Sequence, residues 1–136
     1  MKKYDFNTQL TDEEFEDFGC DIIERRENIK LERFNKRKDL GIDGRFCYNN
    51  KSLIVQCKHF QNINNLIAAL KTEELSKIEK LKPDRYILVL STNPTVIQKE
   101  KIMTILSSYI LSPNDIVSPS DILSYLREEK FRDIKK

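Results

Sequence analysis

The sequence predicts an α/β fold: a central mixed β-sheet flanked by helices, built as a single domain. Three observations carry that expectation. Residues 41–47 and 52–60 both have strand character, and Tyr48-Asn49-Asn50-Lys51 joins them with a turn composition suited to an antiparallel hairpin. Residues 86–90, Tyr-Ile-Leu-Val-Leu, are a continuous apolar run, which marks a strand covered on both faces as in parallel pairing. Between them, residues 64–81 repeat apolar side chains at helical spacing, so a hairpin feeds a crossover helix and then a buried strand.

The other elements follow from local signals. Thr11 with Glu14 forms a capping box, and Asp12, Glu13 and Glu14 suit the positive end of a helix dipole, so a helix is expected over 12–27. Its apolar stripe is Phe15, Phe18, Ile22 and Ile23. A short strand is expected at 29–34, with Ile29, Leu31 and Arg33 on one face, followed by a polar loop at 35–40. In the helix at 64–81, the inward residues are expected to be Leu66, Ile67, Leu70, Leu75 and Ile78. Pro94 opens a third helix over 95–111; residues 115–117 form a last strand and 120–129 a last helix capped by Ser120. The expected order is α-β-β-β-α-β-α-β-α.

A chain of 136 residues suits one domain and can bury a core without staples. The domain is expected to span 1–136, with a core over 10–111 and a C-terminal extension over 112–136 that leads toward further domains. Twenty-four basic side chains stand against 22 acidic ones, so the net charge of +2 excludes a polybasic tail; a clustered nucleic-acid surface remains open. Three cysteines and one histidine, without CxxC or zinc spacing, argue against structural zinc and for free thiols in a reducing compartment. The segment MKKYDFNTQL lacks the apolar stretch of a signal peptide, and no apolar run has membrane-spanning length. The expected location is cytoplasmic, with no membrane partner.

The chemistry concentrates in Gly41-Ile42-Asp43-Gly44 and Val55-Gln56-Cys57-Lys58. Alternation along a strand points Gln56 and Lys58 to one face and Val55 and Cys57 to the other. The hairpin brings Asp43 beside that pair. A carboxylate is a hard ligand for Mg²⁺, a glutamine carbonyl is a neutral second one, and a lysine two residues on can orient a water or stabilise developing charge on a phosphoryl group. Glu16, at the edge of the first helix's buried stripe, is the candidate third ligand. Taken singly, Asp43 also fits a plain turn, and Gln56 with Lys58 fits the solvent face of an edge strand. His59, on the opposite face from Lys58, suits a structural or substrate-rim role, and Cys57 a small buried hydrophobe. Lys36, Arg37 and Lys38 precede the acidic loop and either grip phosphates or stay solvated. Lys71, Lys77, Lys80 and Lys82 read as a solvated helix face.

Three motifs in order, FEDF (15–18), DLGIDG (39–44) and IVQCKHF (54–60), carry a resemblance. The sequence resembles the PD-(D/E)xK nuclease superfamily in its Mrr-type restriction endonuclease branch, as found at the N-terminus of bacterial anti-phage defence proteins. The resemblance spans roughly residues 10–110. It implies a restriction endonuclease-like fold and a Mg²⁺-dependent deoxyribonuclease, with Mn²⁺ as a possible substitute. Asp43 would be the metal-binding acid, Lys58 the catalytic lysine, Gln56 the second ligand in the usual acid's place, Glu16 the helix acid and Asp39 a supporting acid. It further implies double-stranded DNA as substrate and a fused or associated NTPase or sensor domain. That NTPase would lie outside this chain, which has no GxxxxGK[ST] pattern. One active site cuts one strand, so a homo-oligomer is expected for double-strand cleavage. Two other readings stay open: a catalytically silent module of the same fold that binds nucleic acid or protein, and an RNA or DNA-junction nuclease.

Overall fold

Two asparagines set the register of the sheet. A computed structural model describes residues 9–34 and 42–128. In it Asn49 (φ 51°) and Asn50 (φ 63°) both adopt the left-handed conformation. Two such residues make a primed turn whose twist matches that of the flanking strands, and asparagine tolerates it best after glycine. The turn joins β2 (Gly44–Tyr48) to β3 (Lys51–Lys58) with Tyr48 opposite Lys51 and Gly44 opposite Val55.

The sheet has five strands in the order β1-β2-β3-β4-β5, where β1 is Glu32–Arg33, β4 is Arg85–Leu90 and β5 is Ile116–Val117. The β1–β2 and β2–β3 pairs are antiparallel; β3–β4 and β4–β5 are parallel. The mixed sheet is therefore as the sequence predicts. Alternation along β3 and β4 sorts the core into two layers. Leu53, Val55, Cys57, Ile87 and Val89 face α1 (Asp12–Glu27). Ile54, Tyr86, Leu88 and Leu90 face the helical crossover from β3 to β4: α2 (Ile63–Ala69), a π-helical turn (Leu70–Glu74) and α3 (Leu75–Leu81). Two further helices complete the layers. Ile102 of α4 (Val96–Ile105) joins the crossover side, and Ile122 of α5 (Pro119–Leu126) joins the α1 side. Each fully buried side chain of this size contributes about 1.5–3 kcal/mol relative to exposure.

Several elements differ from expectation. The first strand is two exposed residues, and the sheet edge there is dressed with charge: Glu32 pairs with Arg45 at 3.1 Å and Arg33 with Asp21 at 2.8 Å. Charges on an edge strand oppose further pairing. Leu31, just before it, goes into the core instead. The second strand begins at Gly44, so Ile42 and Asp43 lie outside it. The crossover helix carries a π turn, which leaves Leu75 half-buried and turns Glu74 inward. The third helix ends at Ile105, and a 3₁₀ turn (Pro113–Asp115) precedes β5. Ser118, with Asp121 completing a capping box, caps the last helix in place of Ser120. Pro119 takes the first helical position, where its missing N–H is harmless.

An ion-pair cluster ties the far end of the sheet. Arg85 donates to Asp115 at 2.8 Å and to Glu27 at 2.7 Å, joining β4, the 3₁₀ turn and the end of α1. Among the described residues no helix is long and apolar enough to cross a membrane.

Candidate functional site

The site begins where β2 leaves the sheet. Antiparallel pairing of β2 with β3 ends at Val55, while β3 continues beside β4 as far as Lys58 opposite Leu90. The backbone N–H of Asp43 still donates to the Val55 carbonyl at 3.1 Å. Its carboxylate then accepts the N–H of Cys57 at 2.6 Å. A buried amide needs a partner, and beyond the end of β2 the side chain supplies it. The amide so bound lies between Gln56 and Lys58. Asp43 is buried (6% exposed), and its own carbonyl accepts the Phe34 N–H at 3.3 Å, so the residue before β2 is bonded on both sides.

Gln56 and Lys58 point to the crossover side, as alternation requires. Both reach one residue, Glu74: the Gln56 amide Nε2 donates to its Oε1 at 3.4 Å, and the Lys58 ammonium lies 3.1 Å from its Oε2. Gln56 Oε1 accepts the hydroxyl of Tyr86. Burial pushes the Tyr86 hydroxyl well above its ordinary range, and the negative charges of Glu74 and Asp43 add to the push, so it remains a donor. Lys77 approaches Glu74 from the rim at 4.0 Å. Lys58 sits at the carboxyl end of two parallel strands, the end at which open α/β sheets hold ligands. Backbone ties steady this end: Ser91 N–H donates to the Lys58 carbonyl at 3.2 Å, and the Thr92 hydroxyl to that of Phe60 at 2.7 Å.

Glu16 occupies the other side. It is half-buried on α1, and its carbonyl accepts from the Cys57 thiol at 3.8 Å. A hydrogen bond with Cys20 and complete burial hold the Cys57 thiol well above its ordinary value of 9.0, and the charges of Asp43 and Glu16 act in the same direction. The two carboxylates thus flank one thiol. Glu16, on α1, and the Gln56–Lys58 pair, facing the crossover, lie on opposite sides of the sheet. Close approach of α1 depends on Gly19, where an added Cβ would lie 2.5 Å from Cys57 Sγ and 3.3 Å from Val89 Cγ1. His59 is on the α1 side too: its ring stacks on Phe15 (centroids 5.4 Å apart), and its Nδ1 is 2.5 Å from Asp12 Oδ1.

The structure thus brings Asp43, Gln56 and Lys58 to one end of β3, with Glu16 on α1 at the other side of the sheet. Lys36, Arg37, Lys38 and Asp39 lie outside the described residues. Among the described residues no group of three or more His, Cys, Asp and Glu side chains has the spacing of a metal site. The donor set to be weighed is therefore a carboxylate plus a glutamine oxygen. The Gln56 oxygen accepts one hydrogen bond and has a second lone pair. Mg²⁺ keeps several waters and takes one or two protein carboxylates, so this sparse set fits it. Glu74 was missed in the sequence. Its signal is there, as a lone acid at four-residue steps between Leu70 and Ile78 in an otherwise apolar stripe.

Fold and site together define an α/β domain with a buried polar cluster at the carboxyl end of paired parallel strands. Among curated proteins the chain is similar to the uncharacterized protein y4cD of Sinorhizobium fredii, 32% identical over 127 residues. Those residues cover 92% of this chain and 20% of that protein, so the chain spans about a fifth of its relative's length. No family model and no solved structure matches the chain.

Proposed function

We propose that the domain is a Mg²⁺-dependent nuclease of the PD-(D/E)xK type, with a restriction endonuclease-like fold, that hydrolyses phosphodiester bonds of double-stranded DNA. One observation carries the reading: the Asp43 carboxylate binds the amide that separates Gln56 from Lys58, whose side chains share one face. An acid, an amide oxygen and an ammonium are thereby gathered at one end of β3, in the order that the FEDF, DLGIDG and IVQCKHF motifs suggest. The carboxylate of Asp43 and Oε1 of Gln56 would hold the cation, with Glu16 approaching from the α1 side. A bound Mg²⁺ supplies charge neutralisation and a more acidic water. Lys58 stands beside that position, where its ammonium can orient the attacking water and offset charge developing on the phosphoryl oxygens. Water oxygen bonds to phosphorus in line and releases a proton to solvent, the bond to the 3′-oxygen breaks, and that oxygen takes up a proton from solvent.

The wider setting follows as proposal. Double-strand cleavage calls for two copies of the domain. A relative five times longer favours additional domains, such as an NTPase or sensor, in proteins of this kind, including restriction or anti-phage defence proteins. A silent binding module is the second reading, and one observation favours it: Lys58 and Gln56 are already engaged by Glu74. Incubation of supercoiled plasmid with Mg²⁺ separates the two. Cleavage by the wild type and its loss in folded Lys58→Ala support the enzyme; equal outcomes for both proteins refute it.

A further inference from the structure

We infer that Glu74 is the positioning residue of this site, holding the Lys58 ammonium and setting the direction of the Gln56 amide. The inference rests on the nuclease reading and adds to it a residue that no motif marks. Glu74 is 7% exposed, in an apolar stripe. A buried ion pair seldom adds stability over a well-packed apolar pair, so the core by itself does not call for Glu74 together with Lys58. What the carboxylate does that leucine cannot is geometric. One oxygen takes Lys58 and the other takes Gln56 Nε2. With its N–H held there, the Gln56 amide turns its oxygen toward Tyr86 and the proposed cation.

A second observation is the helix itself. A regular α-helix advances about 40° beyond a full turn in four residues, so Leu70, Glu74 and Ile78 would fan over about 80°. The wider turn at Leu70–Glu74, closed by the Leu75 N–H on the Leu70 carbonyl, removes that drift. All three residues are then buried on one face, and the carboxylate is aimed at the end of β3. Such π turns cost regular hydrogen bonding and recur at functional sites.

The test uses Glu74→Gln and Glu74→Leu in the full chain, with two readouts. The first is acylation of Lys58 by an amine-reactive ester, followed by peptide mass spectrometry and normalised to the other lysines. It should rise several-fold in both variants, and an unchanged rate overturns the proposal whatever the cleavage result. The second is plasmid cleavage with Mg²⁺. Turnover should fall about 10–100-fold, the usual cost of losing a residue that orients a ligand. Added to Lys58→Ala, Glu74→Gln should cost little more, because both act through one group. A full further loss, or wild-type turnover in Glu74→Gln, overturns it. Glu74→Leu should lower the melting temperature, because it leaves the shielded Lys58 ammonium without its partner, and Lys58→Leu/Glu74→Leu should recover most of that loss; a fall in stability with normal turnover assigns Glu74 to the core instead. Raised labelling with no cleavage by the wild type sinks the nuclease reading, and with it the role of Glu74 in turnover.

Discussion

The Lys58 ammonium lies 3.1 Å from the Glu74 carboxylate, one charge from the end of a β-strand and the other from a π turn in the crossover helix. Both side chains are largely shielded, so neither is a solvated surface charge. Lys58 is therefore more constrained than a lysine on an edge strand. Lys58→Ala should reduce plasmid cleavage roughly 10²–10³-fold, the range for removal of one group that stabilises transition-state charge. Its far-ultraviolet circular dichroism should match the wild type, and unchanged cleavage would remove Lys58 from the chemistry.

Asp43 has two separable tasks. Its oxygen satisfies the Cys57 amide, and its charge makes it a cation ligand. Asp43→Ala leaves that amide buried and unpaired and should lower unfolding free energy by about 1–3 kcal/mol. Asp43→Asn keeps an acceptor and should lose less stability. Calorimetric titration should find Mg²⁺ binding weakened in both. Equal stability losses in the two variants would contradict the structural task, and undiminished Mg²⁺ affinity the ligand task.

Gly19 governs how closely α1 approaches the sheet. Gly19→Ala drives a methyl group toward Cys57 Sγ and should cost about 1–3 kcal/mol in urea unfolding, as overpacking does. Removing the sulfur in Gly19→Ala/Cys57→Ala should recover part of that loss. Additive losses in the double variant would show that the clash is elsewhere.

Stability should fall on both sides of neutrality for different groups. Burial pushes Glu27 upward, yet hydrogen bonds and charge from Arg85, with help from Arg26, outweigh it and hold the carboxyl below its ordinary 4.5. A depressed acid stabilises the fold above its unfolded value, and that contribution disappears as pH drops below about 4.5. Cys57 is raised above 9.0, so its contribution is complete below that value and declines as pH climbs past it, where the unfolded chain ionises first. Urea midpoints over this range should show Glu27→Gln flattening the acid limb and Cys57→Ala the alkaline limb. Unaltered limbs would exclude these two groups.

Much of the architecture was readable along the chain because it is local. Thr11 and Glu14 cap α1 as a box, and the apolar run from Tyr86 to Leu90 is a strand covered on both faces. The common face of Gln56 and Lys58 follows from strand alternation alone. Most of what escaped was non-local; the cap of the last helix is the exception, since its signal lies within four residues. Serine is a fair cap at either 118 or 120, and Pro119 with Asp121 decides for Ser118. The two-residue β1 reflects charges on Glu32 and Arg33 that find partners on β2 and α1. Glu74 escaped because a regular wheel shows only that it lies inward between Leu70 and Ile78, whereas its partners Gln56 and Lys58 sit on β3, far away in the chain.

By itself the sequence determined the helices, the hairpin, the buried parallel strand and the side to which Gln56 and Lys58 point, since each depends on spacing and caps within a few residues. Tertiary structure alone decided that Asp43 binds the Cys57 amide, that Glu16 stands on the opposite face from Lys58, and that Glu74 joins Gln56 to Lys58. Those relationships arise at the carboxyl end of β3, where the residue before β2, the helix α1 and the crossover helix converge. Burial there forces each polar group to find a partner far away in the chain, and no local pattern encodes which one it finds.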